Sequence, residues 1–213
     1  MITLLIATRN RHKVEEIRAV LGNNFRYLTL DALPDAPSVV EDAGTFAGNA
    51  GKKARELAHW LHIANPLSKA DRTFVLADDS GLEVDALGGA PGVHSARFAA
   101  LDSGKPGNST DTDNNAKLLR LLAKVPMGKR TARFRCVLAL VRDKEGWPEL
   151  FDGVCDGRIE LAPHGANGFG YDPLFVPDEF RETFGELGDA EKNKLSHRAR
   201  ALEKMKQALR DVA

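Results

Sequence analysis

The chain has no excess of either charge. Its 30 basic and 30 acidic residues give a formal net charge of zero. That excludes the basic surplus usual in proteins that bind nucleic acid or lie on membranes, so neither is an expected partner. Cysteine is scarce. Cys136 and Cys155 sit in apolar, strand-like runs with no ligand spacing around them. They read as buried reduced thiols in a reducing compartment, not as a disulfide frame or a metal site. The opening run, Met1 to Ala7, lacks a basic leader and is too short for a signal peptide or a membrane span. It reads as a first strand, and a cytoplasmic location is expected. There is no internal repeat and no low-complexity tract. Neither glycine fingerprint of the familiar phosphate-binding loops follows the first strand.

What is present is ordinary globular material. A length of 213 residues with 43% hydrophobic and 28% charged residues can bury a core without staples. Residues 2–7 have the continuous apolar character of a strand buried on both faces. Val14, Ile17, Val20 and Leu21 share one helical face ahead of Gly22. Phe46, Ala50, Ala54, Leu57 and Leu61 predict a helix over about 45–61. Gly48 and Gly51 weaken it by about 1 kcal/mol each and call for a packing or functional reason. Residues 62–72 read as a surface loop, and Phe74 to Ala77 as a short strand ending in Asp78-Asp79-Ser80-Gly81. Residues 88–112 are rich in glycine, proline and short polar residues and read as a long loop. A helix at about 113–124, strands at 131–141 and 149–155, and a helix at about 197–211 with Leu202, Met205, Leu209 and Val212 inward complete the reading. Strands and helices in this order predict an α/β protein with a mixed sheet.

Four clusters carry candidate chemistry. Thr8-Arg9-Asn10-Arg11-His12-Lys13 bridges the first strand and first helix. Cations at a helix N-terminus oppose its partial positive charge, and a bound anion would remove the conflict. Solvated surface cations are the plainer alternative. Asp78 and Asp79 follow a buried strand, where ligands gather in α/β sheets, and hard oxygen ligands suit a divalent cation. An acidic turn with Gly81 reversing the chain is the competing reading. Glu41 and Asp42 form a second acidic pair before a helix. The run Lys192 to Arg198 sets His197 and Arg198 in another first turn, behind Ser196 as N-cap. Two cationic helix starts in a neutral chain, with acidic residues able to hold a metal, fit a polyphosphate. In Gly168-Phe169-Gly170-Tyr171-Asp172-Pro173, glycines flank aromatics that either present a ring to a planar ligand or anchor the loop.

Several short motifs then appear in a fixed order: Thr8-x-Asn10-x-x-Lys13, Glu41 ahead of Thr45-Phe46, Asn49-Ala50-x-x-Lys53-Ala54, Asp78 to Leu82, Gly88 to Gly92, Ser95-Ala96-Arg97, Phe169 to Pro173, and Ser196-His197-Arg198. Singly weak, together they resemble the inosine/xanthosine triphosphate pyrophosphatase family over about residues 2–209. The resemblance implies an α/β fold with an elongated mixed β-sheet and flanking helices forming two lobes around a central nucleotide cleft. It implies a single nucleoside triphosphate pyrophosphatase domain over 1–213 and a homodimer. The implied reaction is Mg²⁺-dependent hydrolysis of the non-standard purine nucleotides ITP, dITP and XTP to monophosphate and pyrophosphate. The residues it implies for the substrate are Thr8, Arg9, Asn10, Arg11, His12, Lys13, Lys53, Ser80, Phe169, Gly170, Tyr171, Asp172, Lys192, His197 and Arg198. Glu41 and Asp79 would hold the metal. Asp79 would be the proton acceptor, with Lys13 and Lys53 meeting the leaving-group charge. The chain departs from the pattern at Arg9, His94 and Gly48, where glycine, tyrosine and glutamate are common. The alternatives are a pyrimidine-directed pyrophosphatase of similar fold and a non-catalytic nucleotide sensor.

Overall fold

The computed structural model describes residues 1–64, 72–102, 104, 106–142 and 146–210. Its strands are β1 (Thr3–Ile6), β2 (Arg26–Thr29), β3 (Thr73–Val84), β4 (Thr131–Val141), β5 (Glu149–Ile159) and β6 (Phe175–Pro177). Its helices are α1 (Arg11–Leu21), α2 (Phe46–Ala64), α3 (Asp111–Leu121), α4 (Phe184–Leu195) and α5 (His197–Arg210). The strands form one sheet in the order β2-β1-β3-β4-β5-β6. β1 pairs in parallel with β2 and β3, whereas β5 and β6 are antiparallel. The expected mixed-sheet α/β class is borne out. Among the described residues no helix is long and apolar enough to cross a membrane.

Two compact units divide the chain. The first comprises Met1–Asp79, Cys136–Gly153 and Arg198–Ala213; the second comprises Ser80–Arg135 and Val154–His197. In the first, Leu4, Ile6, Phe74, Leu76, Cys136, Leu138 and Leu140 form one core with Ile17 and Leu21 of α1 and Ala201, Leu202 and Met205 of α5. The alternate strand residues Leu5, Ala7, Val75, Ala77, Val137 and Ala139 are buried as well. Both faces are therefore covered, which is why these strands read as continuous apolar runs. In α2, Phe46, Ala50, Ala54, Leu57 and Leu61 are buried at the spacing read from the sequence. In the second unit, Leu82, Val84, Phe134, Cys155, Ile159, Leu174, Phe175 and Phe184 pack with Leu118 and Leu122.

Several boundaries differ from the sequence reading. α2 runs through 62–64, which the periodicity leaves as loop; the rest of that loop, 65–71, and Val212 lie outside the described residues. The segment 88–112 is broken by short 3₁₀ turns at Gly92–Arg97 and Ala100–Asp102, and α3 begins at Asp111 with Thr110 capping the Asp113 N–H. β6 and α4, with its Thr183–Glu186 capping box, carry too few periodic residues to be read unaided.

The largest correction concerns β3. It does not stop at Ala77 but runs twelve residues in all, from Thr73 to Val84, so Asp78 to Gly81 are strand and not turn. The two carboxylates stay in the sheet because each finds a partner. Gly81 does not reverse the chain. It admits the close approach of Ser95, since a Cβ there would lie 2.4 Å from Ser95 Oγ and 2.6 Å from the Gly92 carbonyl oxygen. Ser95 Oγ uses that closeness to donate to the Gly92 carbonyl (2.6 Å) and to accept from the Leu82 N–H (2.9 Å).

Candidate functional site

β1 pairs with β3 as far as Ile6 and Leu76. There β1 ends and its chain turns through Thr8 to Asn10 into the start of α1, while β3 goes on to Asp78 and Asp79. The order β2-β1-β3 also makes this a switch point. α1 leads from β1 to a strand on one side, and α2 returns from that strand to the other side. Such points, beyond the carboxyl ends of strands, are where α/β sheets bind ligands.

Successive strand residues point to opposite faces, so the acidic pair is split. Asp78 shares its face with Phe74 and Leu76, which pack against α1 and α5. It is 1% exposed. Lys13 Nζ donates to its Oδ1 at 2.5 Å, Arg198 Nε to its Oδ2 at 2.8 Å, and the Cys136 thiol to Oδ2 at 3.2 Å. Arg198 Nη1 in turn donates to Glu16 Oε2. Burial by itself would raise the Asp78 pKa, but Arg198 and Lys13 outweigh it and hold the carboxyl well below the usual range. Burial, and then the Asp78 charge, push the Cys136 thiol well up. Cys136 is thus a neutral donor.

Asp79 points the other way, where Asn49 Nδ2 of α2 donates to its Oδ2 at 3.0 Å. Its other oxygen takes no hydrogen bond from any described residue. The Asp79 pKa is raised, first by burial and also by the nearby Glu41 charge, against the pull of Lys13, Lys53 and Asn49. Lys53 Nζ lies 2.6 Å from Glu41 Oε1 and donates to the main-chain carbonyl of Asp78 at 3.0 Å. Asn49 also accepts from the Ala43 N–H at 2.9 Å, tying the segment after Glu41 to α2.

The Thr8–Lys13 run does not behave as one cationic patch. Thr8 Oγ1 accepts from the Asn10 N–H and Asn10 Oδ1 from the Lys13 N–H, each at 3.2 Å, so the loop is self-braced and Asn10 caps α1. Arg9 donates to the Ala36 carbonyl at 3.2 Å. Arg11 and His12 are exposed, with His12 beside Glu15 at 3.8 Å. The conflict read at this helix start is partly relieved from within, because the Lys13 ammonium meets Asp78.

The second unit holds the remaining predicted residues. Lys192 of α4 and Asp172 are both buried and pair at 2.6 Å. The same Asp172 oxygen accepts the Phe169 N–H at 2.8 Å, and Lys192 Nζ sits 4.4 Å from the Phe169 ring centre. Gly168 has φ +76° and leaves room for that carboxylate, which a Cβ would meet at 2.1 Å. The Gly170 N–H donates to Asp111 at 2.7 Å. The two readings of this loop divide between its aromatics. Tyr171 is buried and anchors the loop through its hydroxyl, which donates to the Ser95 carbonyl at 2.9 Å. Phe169 is only half-buried. His197 stacks on Phe134, with ring centres 4.8 Å apart and planes 13° apart. Ser80, half-buried, opens this unit.

The sequence thus brings Lys13, Glu41, Lys53, Asp78, Asp79 and Arg198 into one unit and Phe169 to Asp172, Lys192 and His197 into the other. Reasoning from motifs gave no role to Asn49, Glu16 or Cys136. Asn49 carries a signal, a polar residue at helical spacing from Phe46 and Lys53. Glu16 carries none, because its partner Arg198 is 182 residues away.

Comparison with known proteins agrees with the ordered motifs. The model of the Ham1 family matches residues 4–208. A dITP/XTP pyrophosphatase of Shouchella clausii (strain KSM-K16) is 43% identical over 100% of this chain and 98% of its own. A dITP/XTP pyrophosphatase of Rhodopirellula baltica is 48% identical over 95% of this chain and 90% of its own. A HAM1 protein from Coxiella burnetii, 34% identical, superposes with a TM-score of 0.83 over 99% of this chain and 100% of its own. The chain belongs to the Ham1 family.

Proposed function

We propose that residues 1–213 act as a nucleoside triphosphate pyrophosphatase that converts dITP, ITP and XTP to the monophosphate and pyrophosphate. The observation that carries this reading is Asp79: a buried carboxylate with a raised pKa, steadied on one oxygen by Asn49, with two lysines close enough to act on it. A carboxylate raised in this way is a better proton acceptor at neutral pH than an exposed one. In the proposed reaction Asp79 orients a water for attack at the α-phosphorus and takes its proton. The α–β phosphoanhydride bond breaks, and the charge that develops on pyrophosphate is met by Lys13 and Lys53.

Mg²⁺ fits the residues present. Glu41 and Asp79 are near enough for the Glu41 charge to raise the Asp79 pKa, a repulsion that a cation would relieve. Among the described residues no group of three or more His, Cys, Asp or Glu side chains is placed to enclose a metal. Mg²⁺ is commonly held by one or two carboxylates with substrate phosphates and water. Glu41 and Asp79 would hold it, and when bound it would offset phosphate charge. The loop braced by Thr8 and Asn10, with Arg9, Arg11 and His12, would bind the triphosphate beside Lys13. Ser80, Phe169 to Asp172, Lys192 and His197 would contact the nucleotide, where donors favour the 6-oxo acceptor of hypoxanthine and xanthine over the 6-amino group of adenine; Arg198, sealed at 1% exposure between Asp78 and Glu16, would act on it indirectly. A buried donor left facing a donor costs roughly 1–3 kcal/mol. A homodimer working in the cytoplasm completes the proposal.

Pyrophosphate release from dITP, ITP, XTP, GTP, ATP, dTTP and UTP at equal concentration, with Mg²⁺ and after chelation, tests it. Preferential, chelation-sensitive release from the first three is expected. Preference for dTTP or UTP would establish the pyrimidine-directed alternative, and binding without release would establish a sensor.

A further inference from the structure

Asp78 binds more partners than charge neutralisation of one buried arginine requires. Arg198 is 1% exposed, and its guanidinium is shared between Asp78 and Glu16. Glu16 and Asp78 carry two negative charges; Arg198 and Lys13 carry two positive ones. Arg198 bridges Glu16 and Asp78, and the carboxylate of Asp78 also holds Lys13. The Lys13 side chain is 15% exposed, so it reaches solvent from an otherwise sealed set. The main-chain carbonyl of the same residue takes the Lys53 ammonium, delivered by α2. One residue therefore sets two ammonium groups, one through its side chain and one through its backbone. The Cys136 thiol completes the shell by donating to Oδ2 at 3.2 Å. As a neutral donor it fixes the carboxylate without drawing off charge meant for Lys13.

Resting on the pyrophosphatase reading, we propose that Asp78 is a positioning residue: held by Arg198 and the Cys136 thiol, it aims Lys13 with its carboxylate and Lys53 with its carbonyl at the triphosphate. On this view Arg198 acts through Asp78. A group misplaced by about 1 Å can lose roughly a hundredfold in rate, so Asp78, Arg198 and Cys136 reach kcat without touching substrate themselves.

A double-mutant cycle tests the proposal. kcat/KM for dITP would be measured in the full chain for wild type, Asp78→Asn, Lys13→Ala and the double variant, with melting temperature checked for each. Asp78→Asn is expected to lower kcat/KM roughly a hundredfold in the wild-type background and by less than about threefold in Lys13→Ala. Losses that multiply would overturn the proposal. If Asp78→Asn does not fold, Cys136 decides. Cys136→Ala, which removes one hydrogen bond, should lower kcat/KM roughly fivefold, Cys136→Ser should restore it, and neither should matter in Lys13→Ala. A fully active Cys136→Ala, or equal loss in Cys136→Ser, would sink it. A wild type that releases no pyrophosphate would overturn the functional reading and this one together; an active wild type with indifferent variants would overturn this one alone.

Discussion

The two units handle buried charge differently. The first collects Lys13, Glu16, Glu41, Lys53, Asp78, Asp79 and Arg198, with several groups sharing partners. Lys53 serves Glu41 and the Asp78 carbonyl, and Arg198 serves Asp78 and Glu16. In the second, Asp172 and Lys192 pair while both are buried, with the ammonium near the rings of Phe169 and Phe184. A shared network can trade partners when a polyanion arrives. The buried Asp172–Lys192 pair also braces the loop that carries Phe169, through the Phe169 N–H on Asp172. The difference fits the proposed division between phosphate chemistry in the first unit and recognition of a ring in the second.

The sharpest way to break that division is Asp79→Asn. It should lower kcat on the order of a thousandfold, the usual weight of a general base, while circular dichroism stays unchanged. Turnover near wild type would remove Asp79 from the chemistry. Next is Lys192→Met. It strands Asp172 as an uncompensated buried charge, and chemical denaturation should show a loss of about 3–5 kcal/mol. A loss below about 1 kcal/mol, the level of an exposed pair, would show that the pair is no brace.

The third prediction concerns acid. Burial raises the Asp78 pKa, but Arg198 and Lys13 bring it well below its ordinary value. A depressed folded-state pKa adds stability that is complete above the unfolded value of about 3.9 and is lost as pH falls through the folded value. Melting temperature should therefore drop as pH is lowered through 4 toward 3, and Asp78→Asn should flatten that part of the curve. Parallel curves would mean that the carboxylate contributes nothing by its charge. The smallest effect is expected at Gly51. A Cβ there meets only Pro148, at an ordinary 3.7 Å, so Gly51→Ala should gain about 0.5–1 kcal/mol. A loss would mean that α2 needs its glycine for close packing. Gly48 already shows such a need, since a Cβ would lie 2.7 Å from that of Ala43.

Much of this molecule was legible in the residues. The apolar runs of β1 and β4, the faces of α1, α2 and α5, the mixed α/β class and the family all follow from local periodicity and from motifs in fixed order. Local rules also located Lys13, Glu41, Asp79, Asp172 and Lys192 as residues to watch, and Lys53 came with the family motifs. The local rules ended the strand too early, because a run of two acids, serine and glycine also satisfies the local criteria for a turn. Only tertiary structure supplies what keeps that run extended: Lys13 and Arg198 on one face, Asn49 on the other, and Ser95 closing on Gly81. Strand alternation then fixes that Asp78 and Asp79 part ways, but not which partners await them. Those come from residues 65, 120 and 30 positions away, and no sequence window spans such distances. Composition and pattern determined that the chain folds as an α/β protein and which family it joins. The long-range contacts decided which of two adjacent aspartates is sealed behind cations and which keeps one oxygen clear of hydrogen bonds from the described residues.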